Sequence, residues 1–280
     1  TCGGSGVVVT GAGNKIVNVS VRTCFNGFQI GGAKTKIERG VAVQNVNEGF
    51  VVLAGGAKTQ IKQSYAYNNA QDGFQIDGDG SKVAGVVAHD NNSAGIRVGA
   101  AKVKLSEVLA LENGGDGIVV VGAGAKLQRV FSVQNTQRDI ALDGTGAKLK
   151  QGTTVGIGGL ASIWITGNGN GVDKTTAGFG FNNLYIAGDQ NKAQRVLSVG
   201  SAEAGIDLGL TASDNSLKKS FATFSGNVGI RASGGSSSNE IKENTASDSI
   251  APFDLFEGNP GCGTNVWQKN GGVANDACID

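Results

Sequence analysis

The sequence is poor in proline and in charge, and it has no long apolar run. Only 2 of its 280 residues are proline, which excludes a collagen helix and a proline-rich linker. Charged residues amount to 17% with a net charge of +1, so the composition gives no reason to expect a nucleic-acid partner. No segment approaches the ~18 consecutive apolar residues of a membrane-spanning helix, so we expect no membrane span. A hydrophobic content of 39% near zero net charge also excludes intrinsic disorder.

Glycine is abundant, and it marks a repeat. The 47 glycines are about 17% of the chain, against ~7% in an average protein. A repeat of 20–50 residues is typical of a solenoid, in which one unit stacks on the next. A glycine followed by a large apolar residue recurs at steps of 22 or 24, and the pattern returns further on: Gly27, Gly49, Gly73, Gly95 and Gly117, then Gly205 and Gly229.

Each repeat holds three short apolar patches separated by turn residues. In the repeat that begins at Lys102, the patches start at Leu105, Leu109 and Ile118. Apolar residues in a patch alternate with small or polar ones, which is the period of a strand. Three short strands per 22 residues predict an all-β fold: one right-handed parallel β-helix, a solenoid of about ten rungs.

We expect a single domain with two irregular parts. The β-helix is predicted over residues 1–250, with an irregular insertion near 151–190 where the period blurs, and a C-terminal cap over 251–280. A solenoid needs a cap because an open edge invites stacking. The N-terminal end offers little capping sequence, which suggests a trimmed chain or missing sequence upstream of Thr1.

Residues one period apart stack, so rows of the fold can be read along the chain. Two apolar rows predict the core, and a row of asparagines predicts a hydrogen-bonded ladder at a turn. Most aromatic residues, which are only 6% of the chain, are expected in the apolar rows. The first core row is Phe28, Phe50, Phe74, Ile96, Ile118 and Ile140; the second lies two residues further on, from Ile30 to Leu142; the ladder is Asn45, Asn69, Asn91, Asn113 and Asn135.

The four cysteines lie in pairs at the two ends of the chain. Cys2 and Cys24 are 22 residues apart, which places them on adjacent rungs within reach of a disulfide. Cys262 and Cys278 flank the predicted cap, and we expect a second disulfide there. Two disulfides indicate an oxidising compartment, so we expect a secreted, periplasmic or cell-surface protein. Metal-binding CxxC spacing is absent, and we expect no metal site.

The apolar rows, the asparagine ladder and the ending from Asn259 to Cys278 resemble the right-handed β-helix superfamily of pectate-lyase-like proteins. Among these, the NosD-like repeat proteins are the most similar. The resemblance implies the β-helix fold and a polysaccharide partner, since members bind, cleave or epimerise polysaccharides, while others are adhesins or phage spikes. The catalytic motifs of polygalacturonases and the Tyr-Gly-Phe-Asp-Pro-His string of mannuronan epimerases are missing. Gln71-Asp72-Gly73-Phe74 keeps only the Gly-Phe pair.

One group of outward-facing residues could carry chemistry. Asp72 and Asp116 are two rungs apart, ~9–10 Å, with Arg97 and Gln75 beside them. The carboxylates could flank a sugar and a water, or hold a calcium ion while the arginine abstracts a proton. Asp72, Arg97 and Asp116 are therefore the candidate catalytic residues, and Gln75 is a candidate binding residue. The alternative is turn chemistry, because Asp-Gly before an apolar residue favours a turn.

A lysine row and a single histidine complete the candidates. The lysines face outward and predict either a stripe that binds an acidic polysaccharide or a solubilising edge, with Glu107, Glu112 and Asp116 close enough to neutralise part of it. His89 falls in an apolar row, so we expect a core or semi-buried filler, or a base beside Asp90. The lysine row consists of Lys82, Lys104, Lys126 and Lys148.

Two functions from different classes follow. The first is a secreted protein that binds or processes polysaccharide on its lateral face; an enzyme of this kind would be a polysaccharide lyase or a glycoside hydrolase. The second is a non-catalytic structural or adhesive spike. The few aromatics weigh against the first, because sugar sites usually use exposed aromatic platforms.

Overall fold

The computed structural model describes residues 2–157 and 160–279. Within it the chain divides into two compact units, Thr1–Ile140 and Ala141–Asp280. Both consist almost entirely of short parallel strands, and the described part contains no helix long and apolar enough to cross a membrane. Two of the residues in the predicted insertion, Gly158 and Gly159, lie outside the described residues.

The described residues form 31 strands and two single-turn 3₁₀ segments. The 3₁₀ segments are Ala54–Gly56 and Pro260–Cys262. The strands are β1 (Val7–Val9), β2 (Lys15–Val17), β3 (Ser20–Arg22), β4 (Phe28–Ile30), β5 (Lys36–Glu38), β6 (Val41–Val43), β7 (Phe50–Val52), β8 (Gln60–Lys62), β9 (Tyr65–Tyr67), β10 (Phe74–Ile76), β11 (Lys82–Ala84), β12 (Val87–His89), β13 (Ile96–Val98), β14 (Lys104–Leu111), β15 (Ile118–Val120), β16 (Lys126–Val133), β17 (Ile140–Leu142), β18 (Lys148–Lys150), β19 (Thr153–Val155), β20 (Ile163–Ile165), β21 (Gly171–Gly178), β22 (Leu184–Ile186), β23 (Lys192–Val199), β24 (Ala204–Leu208), β25 (Ser216–Lys218), β26 (Phe221–Thr223), β27 (Val228–Ala232), β28 (Glu240–Lys242), β29 (Thr245–Ser247), β30 (Leu255–Glu257) and β31 (Val266–Gln268).

The first unit is a parallel β-solenoid in which each turn adds to two sheets. Sheet A consists here of β1, β4, β7, β10, β13 and β15, paired in that order. Sheet B receives from each turn either two short strands, as in β2 and β3, or one long strand, as in β14 and β16. All of these strand pairs are parallel, which confirms the predicted all-β solenoid.

The two predicted apolar rows of sheet A line the core of the first unit, together with buried residues of sheet B such as Ile37, Ile61 and Val83. In β4, β10 and β13 the residues at both ends of the strand point inward and are fully buried, while the middle residue faces outward. Three core phenylalanines stack: the Phe28 and Phe50 ring centroids are 4.5 Å apart, and those of Phe50 and Phe74 are 4.7 Å apart. Stacked burial of identical side chains on successive turns fixes the register, because a shift of one residue would turn the core outward.

The asparagine ladder satisfies the backbone at one turn of every rung. The Asn45 side-chain amide donates to Asn69 Oδ1 at 2.8 Å, and the Asn45 backbone N–H donates to the same oxygen at 3.1 Å. The pattern repeats from Asn69 through Asn113 to Asn135. These amides are buried, so each bond replaces one that water would otherwise make.

The second unit repeats the arrangement with a less even period. Its sheet A contains β20, β22, β24, β27 and β30, and its sheet B contains β18, β19, β21, β23, β25, β26, β28, β29 and β31. The segment 151–190 supplies β19 to β22. Trp267 of β31 is buried, and its indole N–H donates to Glu257 Oε2 at 2.9 Å.

The described residues contain about twelve turns, not ten. Each turn contributes one strand to sheet A, and twelve strands of this kind are present. The two additional strands lie at the ends of the chain: β1 precedes the first Gly-Phe pair, and β30 lies where only a cap was predicted. β30 lacks the glycine that precedes many of the other strands of sheet A, since Asp254 stands before Leu255.

Both predicted disulfides are present. The Cys2 and Cys24 Cα atoms are 4.6 Å apart, and those of Cys262 and Cys278 are 6.0 Å apart. Each separation lies in the range that a disulfide spans. The first joins adjacent turns of the first unit, and the second closes a loop around β31.

Candidate functional site

In the first unit, the predicted catalytic group lies on the outer face of sheet A. Asp72 is buried and uses both carboxylate oxygens: Oδ1 accepts the Ala94 backbone N–H at 2.9 Å, and Oδ2 accepts Arg97 Nε at 2.6 Å. This bond raises the pKa of Arg97, against the effect of its burial. Asp72 thus ties its own turn to the next.

Asp116 has a different arginine partner from the one expected. Arg138 donates to both of its oxygens, from Nε at 2.8 Å and from Nη2 at 2.7 Å, and the Arg138 backbone N–H adds a third bond. Arg138 is thus the arginine that binds Asp116, while Arg97 binds Asp72. A bidentate arginine pair holds a carboxylate in a fixed orientation.

Gln75 and Glu48 complete this surface. The Gln75 amide donates to Asp77 Oδ2 at 2.6 Å, so Gln75 lies near the predicted group but is engaged by a third carboxylate. Burial raises the pKa of Glu48, and the charges of Asp72 and Asp77 raise it further. A carboxyl that holds its proton more tightly is a candidate general acid. Sequence reasoning left Glu48 out because its environment is set by the neighbouring turns.

The lysine row stands in register on sheet B. In the first unit, Lys82 pairs with Lys104, and Lys104 with Lys126. The carboxylates that were expected to neutralise the row contact other partners: Glu107 pairs with Arg129, Asp116 with Arg138, and Glu112 with His89. Among the described residues, no carboxylate forms an ion pair with any lysine of the row.

A groove in the first unit adds lysines to this row. It is lined by Lys34, Lys36, Lys58 and Lys82, together with Gln60. Lys34 and Lys58 belong to the turn before the strand, so they form a second line beside the first. The result is a patch of positive charge wider than the single row that the sequence indicates. Lys148 lies in the second unit, where it pairs in register with Gly171.

His89 does not occupy the core. Its strand buries Ala88, and His89 faces outward beside Tyr67 and Leu111. The early turns of sheet B are one residue shorter than the period, since Val21 pairs with Ala42 instead of Val43. That step displaces only Val21, and from Val43 onward the row of His89 is in register as predicted. The neighbouring row of alanines is the buried one, so His89 is semi-buried and not in the core.

The second unit carries an aromatic pair on the outer face of sheet A. Trp164 of β20 and Tyr185 of β22 are in register, with ring centroids 4.3 Å apart and a 32° tilt. Both are half-buried. A Cβ at Gly209 would overlap the Tyr185 hydroxyl, so the glycine there leaves room for the ring. The next outward residues on the same face are Asp207 and Arg231, followed by Phe256.

Charged residues lie next to this pair. Arg231 donates from Nη2 to Asp207 Oδ2 and from Nη1 to Glu203 Oε1, each at 2.7 Å. Burial alone would lower the pKa of Arg231, but the bonds and charges of the two carboxylates raise it. Burial opposes the ionisation of Glu203, yet bonds from Asn227 and Arg231 leave its pKa below the ordinary value. Burial and the charge of Asp207 raise the pKa of Tyr185. The cluster is therefore a fixed set of hydrogen-bonding groups beside an aromatic surface.

The expectation that most aromatics lie in core rows is wrong. Only Phe28, Phe50, Phe74 and Trp267 are buried among the described residues. A solenoid turn has a narrow interior that takes few large side chains, so the others fall in turns and on outer faces. The strongly exposed ones are Phe25, Tyr65, Phe131, Phe179, Phe181, Phe221 and Phe224.

Comparisons with solved structures identify several proteins of similar fold. The chain is similar to the A-module of mannuronan C-5 epimerase AlgE6 from Azotobacter vinelandii (TM-score 0.58, 12% identity, covering 99% of this chain and 80% of that one). It is also similar to the catalytic unit of a GH87 alpha-1,3-glucanase from Streptomyces thermodiastaticus strain HF3-3 (TM-score 0.60, 10% identity, covering 97% of this chain and 63% of that one). A third similar structure is an alginate lyase from Paenibacillus sp. str. FPU-7 (TM-score 0.52, 11% identity, covering 91% of this chain and 97% of that one).

These identities are low, so the likeness concerns the fold. A search of curated proteins finds no match. The sequence pattern described as "Right handed beta helix region" matches residues 5–175, which is more than half of the chain. The parallel strands and stacked rows of both units agree with that pattern. The chain therefore belongs to the right-handed β-helix family.

Proposed function

We propose that the protein binds or processes a polysaccharide on the outer faces of its β-helix. The observation that carries the proposal is the pair of Trp164 and Tyr185, stacked side by side on an outward face. Aromatic rings with a polar edge are suited to a ligand that is apolar on one face and polar around its rim, as a sugar ring is. The fold is shared with an epimerase, a glucanase and a lyase that act on polysaccharides, which supports the same substrate class.

The charges beside the aromatic pair favour a neutral sugar at this place. Glu203 and Asp207 carry two negative charges against the single positive charge of Arg231. Carboxylates accept hydrogen bonds from sugar hydroxyls, but a net negative cluster repels a uronate. A neutral sugar unit is thus the better partner for the second unit.

The lysines of the first unit favour an acidic polysaccharide there. The row Lys82, Lys104 and Lys126 repeats at the strand spacing, and no described carboxylate neutralises it. A regular line of like charges attracts an extended polyanion, whose charges also repeat. The solubilising alternative predicts the same row without binding, so only a binding measurement separates the two.

Catalysis by Asp72, Arg97 and Asp116 remains a proposal. In its support, the arginines and carboxylates are fixed within one surface, and Glu48 has a raised pKa. If the protein cleaves polysaccharide, Arg97→Ala should eliminate cleavage even at temperatures well below its melting temperature. The melting temperature should itself fall, because the buried Asp72 Oδ2 loses its partner. The assay follows unsaturated products by ultraviolet absorbance and new reducing ends by colour, with and without calcium.

A glycan array of neutral and acidic polysaccharides tests the binding proposal. Trp164→Ala and Tyr185→Ala should each weaken binding by about tenfold, because an aromatic contact contributes ~1–1.5 kcal/mol and 1.4 kcal/mol is tenfold in affinity. Phe221→Ala is the matched control, since Phe221 is an exposed aromatic on sheet B of the same unit. If no glycan binds the wild type, the structural or adhesive spike becomes the better account. The two disulfides support a secreted, periplasmic or cell-surface location in either case.

A further inference from the structure

Three side chains of the first unit converge outside the surfaces described so far. His89, Asp90 and Glu112 each offer one ligand atom, and these atoms all lie within 4.8 Å of one another. His89 Nε2 is 3.3 Å from Asp90 Oδ2 and 3.5 Å from Glu112 Oε2. The three lie on the outer side of sheet B, at the turn that follows β12 and β14.

The two carboxylates form an uncompensated stack of like charge. Asp90 and Glu112 hold the same position on successive turns: the Asp90 N–H donates to Leu111 O, and the Glu112 N–H donates to Val133 O. Like charges one strand spacing apart repel, which disfavours the fold. The equivalent positions on the turns before and after hold the neutral residues Asn68 and Gln134.

Elsewhere on the same sheet, a carboxylate is paired with an arginine side chain. Glu107, on the same turn as Glu112, receives two bonds from Arg129 of the next turn. In residues 2–157 and 160–279, Asp90 and Glu112 have no lysine or arginine partner and share only His89. The two carboxylates at this turn therefore lack a lysine or arginine counter-charge, and this favours the binding of a cation.

We propose that His89, Asp90 and Glu112 form a binding site for a divalent transition-metal ion of the zinc type. Zinc ligands at ~2.0–2.2 Å in a tetrahedron are separated by ~3.3–3.6 Å, which follows from those bond lengths. The two distances from His89 Nε2 fall in that interval. The imidazole nitrogen selects zinc over calcium and magnesium, which prefer oxygen ligands only.

The site is open to solvent, and this sets what else the ion binds. The side chains of His89, Asp90 and Glu112 are 39%, 44% and 49% exposed. Three protein ligands leave at least one coordination position for water or an external donor. The backbone that holds the ligands is fixed by the bonds between turns, so metal binding needs only small side-chain adjustments. This proposal is independent of polysaccharide binding.

Zinc titration of the untagged, disulfide-intact protein tests the site. We expect one Zn²⁺ per chain by calorimetry, and a shift of the imidazole resonances in nuclear magnetic resonance. His89 is the only histidine of the chain, so those resonances need no further assignment. His89→Ala and Glu112→Gln should each weaken Zn²⁺ binding by at least about tenfold, as expected for the loss of one ligand. Glu107→Gln is the matched control, because its carboxylate is held by Arg129 instead.

Several results would overturn the proposal. One is the absence of saturable Zn²⁺ binding in the wild type, which would leave only a histidine–carboxylate ion pair. Another is binding that His89→Ala does not weaken, and a third is Ca²⁺ or Mg²⁺ displacing Zn²⁺ at equal concentration. Circular dichroism of each variant separates loss of the site from loss of the fold. All three side chains lie on the surface, so we expect the variants to fold.

Discussion

Asp139→Asn is expected to stabilise the protein at neutral and alkaline pH. Asp139 stands where the preceding turns have a glycine before the core residue, as at Gly117. Its side chain is 1% exposed. Oδ1 accepts the Asn135 amide at 3.0 Å, while Oδ2 has no hydrogen-bond partner in the described part of the chain. A buried carboxylate with one free oxygen is costly when it is ionised.

The size of the effect follows from the pKa. Burial raises the pKa of Asp139 from 3.8 to about 7, although the bonds from Asn135 oppose this. Because the folded pKa is above the unfolded one, the folded protein favours the protonated carboxyl. Its contribution to stability is fully present below pH ~4 and is lost as the pH rises through about 7. At 1.36 kcal/mol per pH unit, the loss amounts to ~4 kcal/mol by pH 8.

Urea unfolding at pH 5 and pH 8 measures this loss. The free energy of unfolding of the wild type should fall between the two values by several kcal/mol more than that of Asp139→Asn, whose amide stays neutral. Asp214→Asn is the control, because Asp214 is exposed and should leave the pH dependence unchanged. The reasoning is refuted if Asp139→Asn and the wild type respond equally to pH, or if the variant is less stable at pH 8.

Two further predictions concern the core and the lysine row. Ile118→Asp should prevent folding, because it places a charge in a fully buried row at a cost of several kcal/mol; a soluble, protease-resistant variant would contradict the register. Replacing the lysines by glutamine should abolish salt-sensitive retention on an immobilised acidic polysaccharide, since exposed charges act over only ~8 Å at physiological ionic strength. Stability should stay nearly intact, and unchanged retention would favour the solubilising interpretation; the lysines are Lys82, Lys104, Lys126 and Lys148.

The repeat predicts most of the first unit correctly because its turns are nearly equal in length. The core rows and the asparagine ladder are read directly from the 22-residue steps, and the structure has them at the same residues. The same arithmetic places Cys2 beside Cys24, which the disulfide confirms. Here a residue's environment depends only on its place in the period.

The sequence reading fails where a turn departs from the period or where a side chain reaches across turns. A step of 21 residues between Val21 and Ala42 is enough to place Val21 in the wrong row. The period also does not show which of two neighbouring rows of sheet B is buried, and this is why His89 was placed near the core. Arg138 lies one period of 22 residues after Asp116 and reaches back to it. The spacing puts the two residues on adjacent turns, but it does not say which of several partners a long flexible side chain binds. Trp164 and Tyr185 were missed because uneven steps in the second unit hide which of its residues face outward.

The bonds between neighbouring turns make the chain's length adjustable in whole steps. In the first unit, Val83 pairs with Leu105 and Leu105 with Leu127, so three consecutive turns offer the same contacts above and below. Removing the 22 residues from Val83 to Lys104 would therefore join two edges that already match, and every row would continue unbroken. Removing a single residue from within a strand would instead turn the rest of that strand to the opposite face, whereas turns between strands already differ in length by a few residues. Insertions and deletions that span strands are thus expected in multiples of one turn.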